Sequence, residues 1–265
     1  MRTDYVPGNP KLAFDHIGDG EVVLFLHGIG GNRTNWRKQL PAFAVNYRAV
    51  AWDARGYGLS DDYDGPLDFS DFAHDIIRLQ DHLGVTTSHI VGLSMGGRIA
   101  LDFFKFYPNR VSSLILSGTR ASFLQRTDIE RAEFLRLRKR PLVEDNKEPR
   151  DIASTVAHSL MGRRSTPAHF DQLVESISTL HKQSYIKTIE ASTYYDRSAA
   201  LEAINVPTLL VYGGDDRLNR PEVGREIAAQ IEGSRFVEIP DAGPLCNIEA
   251  PEEFNDAVLS FFRNI

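Results

Sequence analysis

Short runs of consecutive apolar residues recur along the chain, and most are separated by stretches with the apolar spacing of helices. Val22 to Leu26 is typical, because it is rich in β-favouring residues and bounded by glycines. A strand that is apolar throughout is covered on both faces. The alternation predicts an α/β fold, a doubly wound and mostly parallel sheet with helices on both faces. The other runs are Ala49 to Trp52, His89 to Leu93, Val111 to Ser117, Thr208 to Tyr212 and Arg235 to Ile239.

Apolar spacing also predicts individual helices. Ser70 is expected to be the N-cap of a helix that carries one apolar stripe and ends at Gly84. A second helix is predicted over Met95 to Tyr107. A third is predicted over Pro251 to Phe262, where proline suits the first turn.

Between Ala121 and about Ala200 the strand-like runs disappear, and polar helical segments broken by prolines take their place. We predict a helical cap over residues 121–200, inserted into a core formed by residues 1–120 and 201–265. The cap contains a basic run, Arg136 to Arg140. Such a run could face an anionic substrate, but it is more typical of a solvated helix surface.

Bulk properties exclude several classes of protein. A chain of 265 residues with a net charge of −6 has no overall positive field to attract nucleic acid. The single cysteine, Cys246, cannot form an internal disulfide, and the first residues lack the apolar stretch of a secretory signal. No apolar run approaches the length needed to cross a bilayer. A cytoplasmic protein with no nucleic-acid or membrane partner is expected.

The strongest local motif is Gly92-Leu93-Ser94-Met95-Gly96, a G-x-S-x-G sequence placed between a predicted strand and a predicted helix. In this context the serine sits on a sharp turn, and the flanking glycines let neighbouring backbone approach closely. The pattern predicts a serine nucleophile at Ser94. The alternative, a glycine-rich turn with an incidental serine, is weakened by the flanking strand and helix.

A second glycine-rich turn, His27-Gly28-Ile29-Gly30-Gly31, follows the strand that ends at Leu26. It should lie beside Ser94 at the carboxyl edge of the sheet, where ligands bind. The backbone amides of Ile29 and Met95 could then stabilise an oxyanion. A dinucleotide-binding motif is excluded, because it requires glycine where Arg33 stands.

Together with the block from Asp53 to Ser60, these motifs resemble the α/β-hydrolase superfamily. The sequence Gly92 to Gly97 is similar to the serine branch, which includes enol-lactonases, small-ester carboxylesterases and carbon-carbon bond hydrolases. It is unlike the members with an aspartate nucleophile. The resemblance implies a small-molecule substrate, namely an ester, an enol-lactone or a cleavable diketone, and it implies no metal or cofactor.

The resemblance also implies a catalytic acid after a late strand. Here that strand leads into Gly213-Gly214-Asp215-Asp216, and the family spacing selects Asp216 as the residue that would orient a histidine. Asp215 is the competing candidate. Paired aspartates also commonly serve only to cap or turn a loop.

The chain departs from the family at Pro244. The family's histidine follows the last strand in the setting A-G-H-x-x-x-x-E-x-P, and this chain has Ala242-Gly243-Pro244 followed by Glu249 and Pro251. Proline has no titratable side chain and no backbone donor, so it cannot act as the general base. The sequence therefore predicts a serine hydrolase with an incomplete triad and low activity.

Three hypotheses account for Pro244. In the first, the histidine was replaced in a hydrolase that kept its other parts. In the second, the chain diverged to another task, such as ligand sensing or chemistry in which a bound substrate supplies its own base. In the third, a cap histidine substitutes for the missing base. The cap candidates are His158, His169 and His181. His27 is expected to brace its loop. The aromatic residues Trp36, Phe123 and Phe134 are candidates either to line the pocket or to pack in the core.

Overall fold

The computed structural model describes residues 1–122 and 127–265, and its described strands form one sheet of eight. The sheet order is β1-β2-β4-β3-β5-β6-β7-β8. The strands are β1 (Arg2–Val6), β2 (Leu12–Ile17), β3 (Val22–Leu26), β4 (Arg48–Trp52), β5 (Ser88–Leu93), β6 (Val111–Ser117), β7 (Thr208–Gly213) and β8 (Arg235–Ile239).

The helices lie between the strands and after the last one. They are α1 (Gln39–Phe43), α2 (Ser70–Leu83), α3 (Met95–Phe106), α4 (Asp128–Val143), α5 (Pro149–Ser159), α6 (Pro167–Ser178), α7 (Lys182–Thr193), α8 (Pro221–Ala228), α9 (Cys246–Glu249) and α10 (Pro251–Phe262). Short 3-10 helices cover Arg33–Trp36, Pro108–Arg110 and Ser198–Ala203. No described helix has both the length and the apolar character needed to cross a membrane.

Strands β3 to β8 pair in parallel, and β1 and β2 add an antiparallel edge. The predicted α/β class and mostly parallel sheet are confirmed. The apolar runs did not reveal β1 and β2, because charged residues interrupt both. Asp15 within β2 accepts hydrogen bonds from Thr3 and Arg33, so its charge is compensated inside the sheet edge.

The core has two layers, one on each face of the sheet. Along β3, Leu24 packs into the layer under α2 and α3, whereas Phe25 packs into the layer under α1 and α10. Successive side chains of a strand point to opposite faces, so a strand buried on both faces must be apolar at every position. This explains the continuous apolar runs.

One helix start differs from its prediction. Helix α2 begins at Ser70 itself, and the N-cap is Phe69, which makes no side-chain cap. The carboxylate of Asp68 accepts hydrogen bonds from the Ser70 amide (2.8 Å) and hydroxyl (2.7 Å), so it satisfies the first turn instead. The predicted end at Gly84 is correct, and this glycine has a φ of 71°.

Helices α4 to α7 follow one another between β6 and β7. Helix α4 packs against α7, and α5 packs against α6. The only bridge between strand-like residues of this stretch, in the described part of the chain, joins Ser122 to Asp196. The division into a core and a cap with the boundaries given above stays a prediction.

Candidate active site

Ser94 occupies a strained turn between β5 and α3. Its φ of 53° and ψ of −107° lie where residues with a side chain are rare. Flanking backbone packs too tightly for side chains, since a β-carbon on Gly92 would lie 2.3 Å from the Gly96 carbonyl oxygen. A β-carbon on Gly96 would lie 2.1 Å from the carbonyl oxygen of Leu26. The turn therefore requires glycine on both sides of the serine.

Hydrogen bonds to the next strand hold this turn in place. The Ser94 amide donates to the Ser117 carbonyl (2.8 Å), and the Thr119 hydroxyl donates to the Ser94 carbonyl (2.7 Å). Ser94 itself is half-buried and lines a cavity of about 640 Å³. Its hydroxyl is thus presented to a space of the size that small-molecule ligands occupy.

The turn that follows β3 lies directly against Ser94. A β-carbon on Gly28 would lie 3.5 Å from the Ser94 β-carbon, and Gly28 and Ile29 line the same cavity. Met95 is the first residue of α3, so its amide has no acceptor within that helix. The sequence-predicted donors Ile29 and Met95 therefore flank Ser94 on two sides.

His27 braces this turn, as expected. The Ala54 amide donates to His27 Nε2 (3.1 Å), which leaves the proton on Nδ1, 2.9 Å from the Gly28 carbonyl oxygen that accepts it. The ring is fully buried, and this burial lowers its pKa. A neutral ring with both nitrogens engaged has no capacity left to act as a base for Ser94.

Asp216 is buried, and its two carboxylate oxygens have unequal surroundings. Oδ1 accepts hydrogen bonds from the amides of Leu218 and Asn219, both at 2.8 Å. Oδ2 is buried and has no hydrogen-bond partner in the described part of the chain. Burial raises the pKa of Asp216 to about 6, although the two amides act in the opposite direction.

Asp215 faces a different partner. Its carboxylate accepts a hydrogen bond from the Arg163 amide (3.1 Å) and lies 3.7 Å from the Arg217 guanidinium. It is half-buried, and both its oxygens face cationic or amide groups of surface loops. Of the two candidates, Asp216 is the one with an oxygen near Gly118, since a β-carbon on Gly118 would lie 3.4 Å from its Oδ2.

Gly118 marks where the loops after β6, β7 and β8 converge. A β-carbon there would lie 3.3 Å from the Pro244 carbonyl oxygen and 3.4 Å from Asp216 Oδ2. Gly118 directly follows Ser117, whose carbonyl accepts the Ser94 amide. Pro244 is half-buried and lines the cavity together with Ser94.

All eight histidines lie in the described part of the chain, and none of them lines the cavity. His158 is exposed and its ring contacts Phe170 at 4.5 Å between centroids. His169 contributes to the N-terminal capping box of α6. His181 lies within hydrogen-bond distance of Asp62 (3.1 Å) and of the Gly58 carbonyl (3.2 Å). Each cap histidine therefore has its contacts away from Ser94.

The aromatic candidates divide between cavity and core. Phe134 on α4 lines the cavity. Trp36 is fully buried in the core, with its ring 5.1 Å from that of Phe25. Phe123 lies outside the described residues.

Glu249 is a residue of this region to which the sequence analysis gave no role. It is buried, and its two oxygens accept hydrogen bonds from the amides of Gly162 (3.0 Å) and Gly243 (3.1 Å). It thus connects the segment between α5 and α6 to the loop that carries Pro244. Its place in the motif before Pro251 was the available signal.

Comparison with protein families gives one assignment. Residues 21–251 match the family model described as the alpha/beta hydrolase fold. The match spans all strands of the sheet except β1 and β2, and it includes every turn described above.

Individual relatives are similar over nearly their whole length. The chain is 29% identical to a 2-hydroxy-6-oxononadienedioate/2-hydroxy-6-oxononatrienedioate hydrolase of Klebsiella pneumoniae, covering 95% of this chain and 90% of the relative. It is 27% identical to 3-oxoadipate enol-lactonase 2 of Acinetobacter baylyi, covering 91% and 88%. A solved structure of a thermophilic esterase from Thermogutta terrifontis is 28% identical and covers 100% of this chain and 99% of that one, with a TM-score of 0.90.

Proposed function

The chain belongs to the α/β-hydrolase family, and from this premise we propose that it is a serine hydrolase of small carbonyl substrates, impaired at Pro244. The substrate class is a carboxylic ester or an enol-lactone. The relatives named for esterase and enol-lactonase activity support this choice. The reaction passes through an acyl-enzyme on Ser94.

The observation that carries the proposal is Oδ2 of Asp216, which has no hydrogen-bond partner among the residues that the structure describes. An unpaired buried carboxylate oxygen is costly, because the group gives up its hydration without a replacement. Oδ2 lies close to Gly118, as does the backbone of Pro244. A histidine at position 244 would supply the N–H that this oxygen lacks, so the surroundings fit a triad that has lost one member.

The chemistry of the complete site follows from its parts. The Ser94 oxygen attacks the substrate carbonyl while a histidine takes its proton, and the amides of Ile29 and Met95 hold the oxyanion. The tetrahedral intermediate collapses, the proton passes to the departing alkoxide, and an acyl group stays on Ser94. Water then attacks this ester with the same base, and the acid is released.

With Pro244, the first step has no base. Ser94 must then lose its proton to solvent, and removing such a base costs on the order of a million-fold in turnover. About a thousandfold acceleration over water persists in such enzymes through the oxyanion hole and substrate binding. We therefore expect the chain to bind its substrate and to turn it over very slowly.

The variant Pro244→His tests the proposal. We expect it to hydrolyse p-nitrophenyl acetate and an enol-lactone at least about a thousandfold faster than the parent, because a base again stands between Ser94 and Asp216. Initial rates measured by absorbance, together with the acyl-enzyme burst, give the readout.

Two controls make this experiment decisive. Pro244→Ala removes the proline without adding a base, so it should stay as slow as the parent. Adding Ser94→Ala to Pro244→His should abolish the gain. A folded Pro244→His protein with no gain in rate, or a gain that survives Ser94→Ala, would show that the proposal is wrong.

A second candidate is hydrolysis of a carbon-carbon bond, favoured by the 29% identity to the Klebsiella pneumoniae hydrolase. It uses the same site, and the Pro244→His variant would then cleave a vinylogous diketone in preference to esters. The alternative of a non-catalytic binding protein predicts ligand binding with no gain of activity in Pro244→His.

A further inference from the structure

The cavity beside Ser94 carries a charge opposite to that of the whole chain. The chain has a net charge of −6. Among residues 1–122 and 127–265, the charged side chains that line the cavity are one acid, Asp151, and five cations: Arg98, Arg120, Arg138, Lys147 and Arg217. A pocket of one sign with partly apolar walls concentrates ligands of the other sign.

Helix α4 shows which of its cations are available to a ligand. It carries five basic side chains, and four of them form ion pairs with carboxylates: Arg131 with Asp128, Arg136 with Glu133, Lys139 with Glu190 and Arg140 with Glu144. Arg138 pairs with no carboxylate in the described part of the chain. Neighbouring charges thus neutralise the basic run everywhere except at Arg138.

Arg138 is also the cation of α4 that faces the cavity. Phe134, Leu137 and Pro141 line the cavity with it, and their spacing places all four on one face of the helix. The Arg138 guanidinium lies 5.3 Å from the centre of the Phe134 ring. A guanidinium held against an aromatic face still presents the N–H groups on its edge, and its five N–H donors are enough to serve both the Tyr185 hydroxyl and a planar anion.

Other cations around the cavity add to the positive potential at Arg138. The pKa of Arg98 is lowered to about 10, mainly by burial and in smaller part by the positive charges of Arg138 and Arg120. Arg98 lies one helical turn after Ser94, so this potential extends to the reacting end of the cavity. A bound anion would relieve the repulsion between these cations.

We propose that the cavity binds an ester or lactone that also carries a carboxylate, and that Arg138 recognises this carboxylate while the reacting carbonyl lies at Ser94. The part that concerns Ser94 rests on the function proposed above. Arg138 is then the specificity-determining residue, because it separates carboxylate-bearing substrates from neutral esters of the same size.

Binding to the slow parent protein tests this without any need for turnover. Monomethyl adipate carries one ester and one carboxylate, and dimethyl adipate is its neutral counterpart. By titration calorimetry we expect the monoester to bind at least about tenfold more tightly than the diester. We also expect its affinity to fall as sodium chloride is raised, since the attraction is electrostatic.

The matched variants are Arg138→Gln and Arg136→Gln, which remove the same charge from the same helix. Arg138→Gln should lower the affinity for monomethyl adipate by about tenfold and leave the affinity for dimethyl adipate unchanged. Arg136→Gln should change neither affinity by more than about twofold. If circular dichroism shows that Arg138→Gln does not fold, Lys147→Gln is the second variant, because Lys147 is exposed and also lines the cavity. We expect it to lower the affinity for monomethyl adipate by about threefold.

Equal affinity for the two esters, or equal effects of the two arginine variants, would overturn the proposal. The proposed hydrolase and the proposed carboxylate site can be contradicted independently of each other. A Pro244→His variant that is inactive while Arg138-dependent binding persists contradicts only the hydrolase. A Pro244→His variant that hydrolyses neutral esters, with no preference for the monoester, contradicts only the carboxylate site.

Discussion

At the scale of single residues, Asp216 combines deep burial with one satisfied and one unsatisfied oxygen. Two backbone amides fix Oδ1, so the carboxyl group cannot turn to relieve Oδ2 without losing both hydrogen bonds. Burial raises the pKa of Asp216 from its ordinary value of 3.8 to about 6, against the opposing effect of these two amides. Oδ2 is therefore held in place with no donor in the described part of the chain.

The burial of the Asp216 carboxylate makes the free energy of unfolding depend on pH. Because the pKa is raised in the folded state, the folded protein binds more protons than the unfolded chain between about pH 4 and pH 6. The contribution of Asp216 to the free energy of unfolding therefore falls as the pH rises through this window, and it stays low above about pH 6. Asp216→Asn cannot ionise, so it should be about 3 kcal/mol more stable than the parent at pH 8 and equal to it near pH 4.

Urea unfolding at the two pH values measures this difference. Asp215→Asn is the control, because its carboxylate meets the Arg163 amide and nearby guanidinium groups. That variant should lose stability at pH 8. If Asp216→Asn were less stable than the parent at pH 8, the unsatisfied carboxylate would not be the costly group inferred here.

At the scale of elements, the contact between β3 and α3 determines the position of Ser94. Gly96 lies in the first turn of α3, and a β-carbon there would meet the carbonyl oxygens of Leu26 (2.1 Å) and His27 (3.0 Å). Backbone oxygens at the end of a buried strand cannot move aside, so any side chain must push the helix away from the sheet.

Gly96→Ala should therefore cost about 3 kcal/mol of unfolding free energy. Gly233→Ala is the matched control, because it lies at a φ of 70° with open space around its β-carbon. It should cost only about 1 kcal/mol, from the strained backbone alone. Urea titration compares the two, and a smaller loss for Gly96→Ala than for Gly233→Ala would contradict the close packing of helix and strand.

At the scale of the whole molecule, Glu249 joins the segment between α5 and α6 to the loop after β8. Its carboxylate accepts hydrogen bonds from the amides of Gly162 and Gly243. These two glycines lie so close to each other that neither has room for a side chain. The nearby pair of Arg164 and Glu253, at 2.6 Å, makes a more exposed connection from the same segment to helix α10. Buried and exposed contacts of this kind differ in strength.

Glu249→Gln should destabilise the protein by about 2 kcal/mol, because the two backbone amides meet different oxygens of the carboxylate, and in glutamine one of these positions becomes an NH2 group that cannot accept. Hydrogen exchange at the amides of Gly162 and Gly243 should become faster. The control Glu253→Gln loses only an exposed ion pair and should cost at most about 0.5 kcal/mol. Equal losses would mean that Glu249 does not connect the two regions.

The sequence by itself determined the α/β class, the mostly parallel sheet and the sharp turn at Ser94. These features are local: apolar runs follow from burial on both faces of one strand, and Gly92 and Gly96 follow from one sharp turn. The edge strands β1 and β2 escaped prediction because their polar residues are compensated by partners distant in sequence.

Only the tertiary structure decided which groups meet around Ser94. Arg136 and Arg138 carry equal charge in the sequence, but the fold pairs Arg136 with Glu133 and places Arg138 in the lining of the cavity. Asp215 and Asp216 were likewise competitors in the sequence, and the fold gives them different surroundings: Asp215 accepts a hydrogen bond from the Arg163 amide, whereas Oδ2 of Asp216 has no partner in the described part of the chain. Hydrogen bonds, ion pairs and burial between distant segments depend on which of them the folded chain brings together, and no local pattern encodes that.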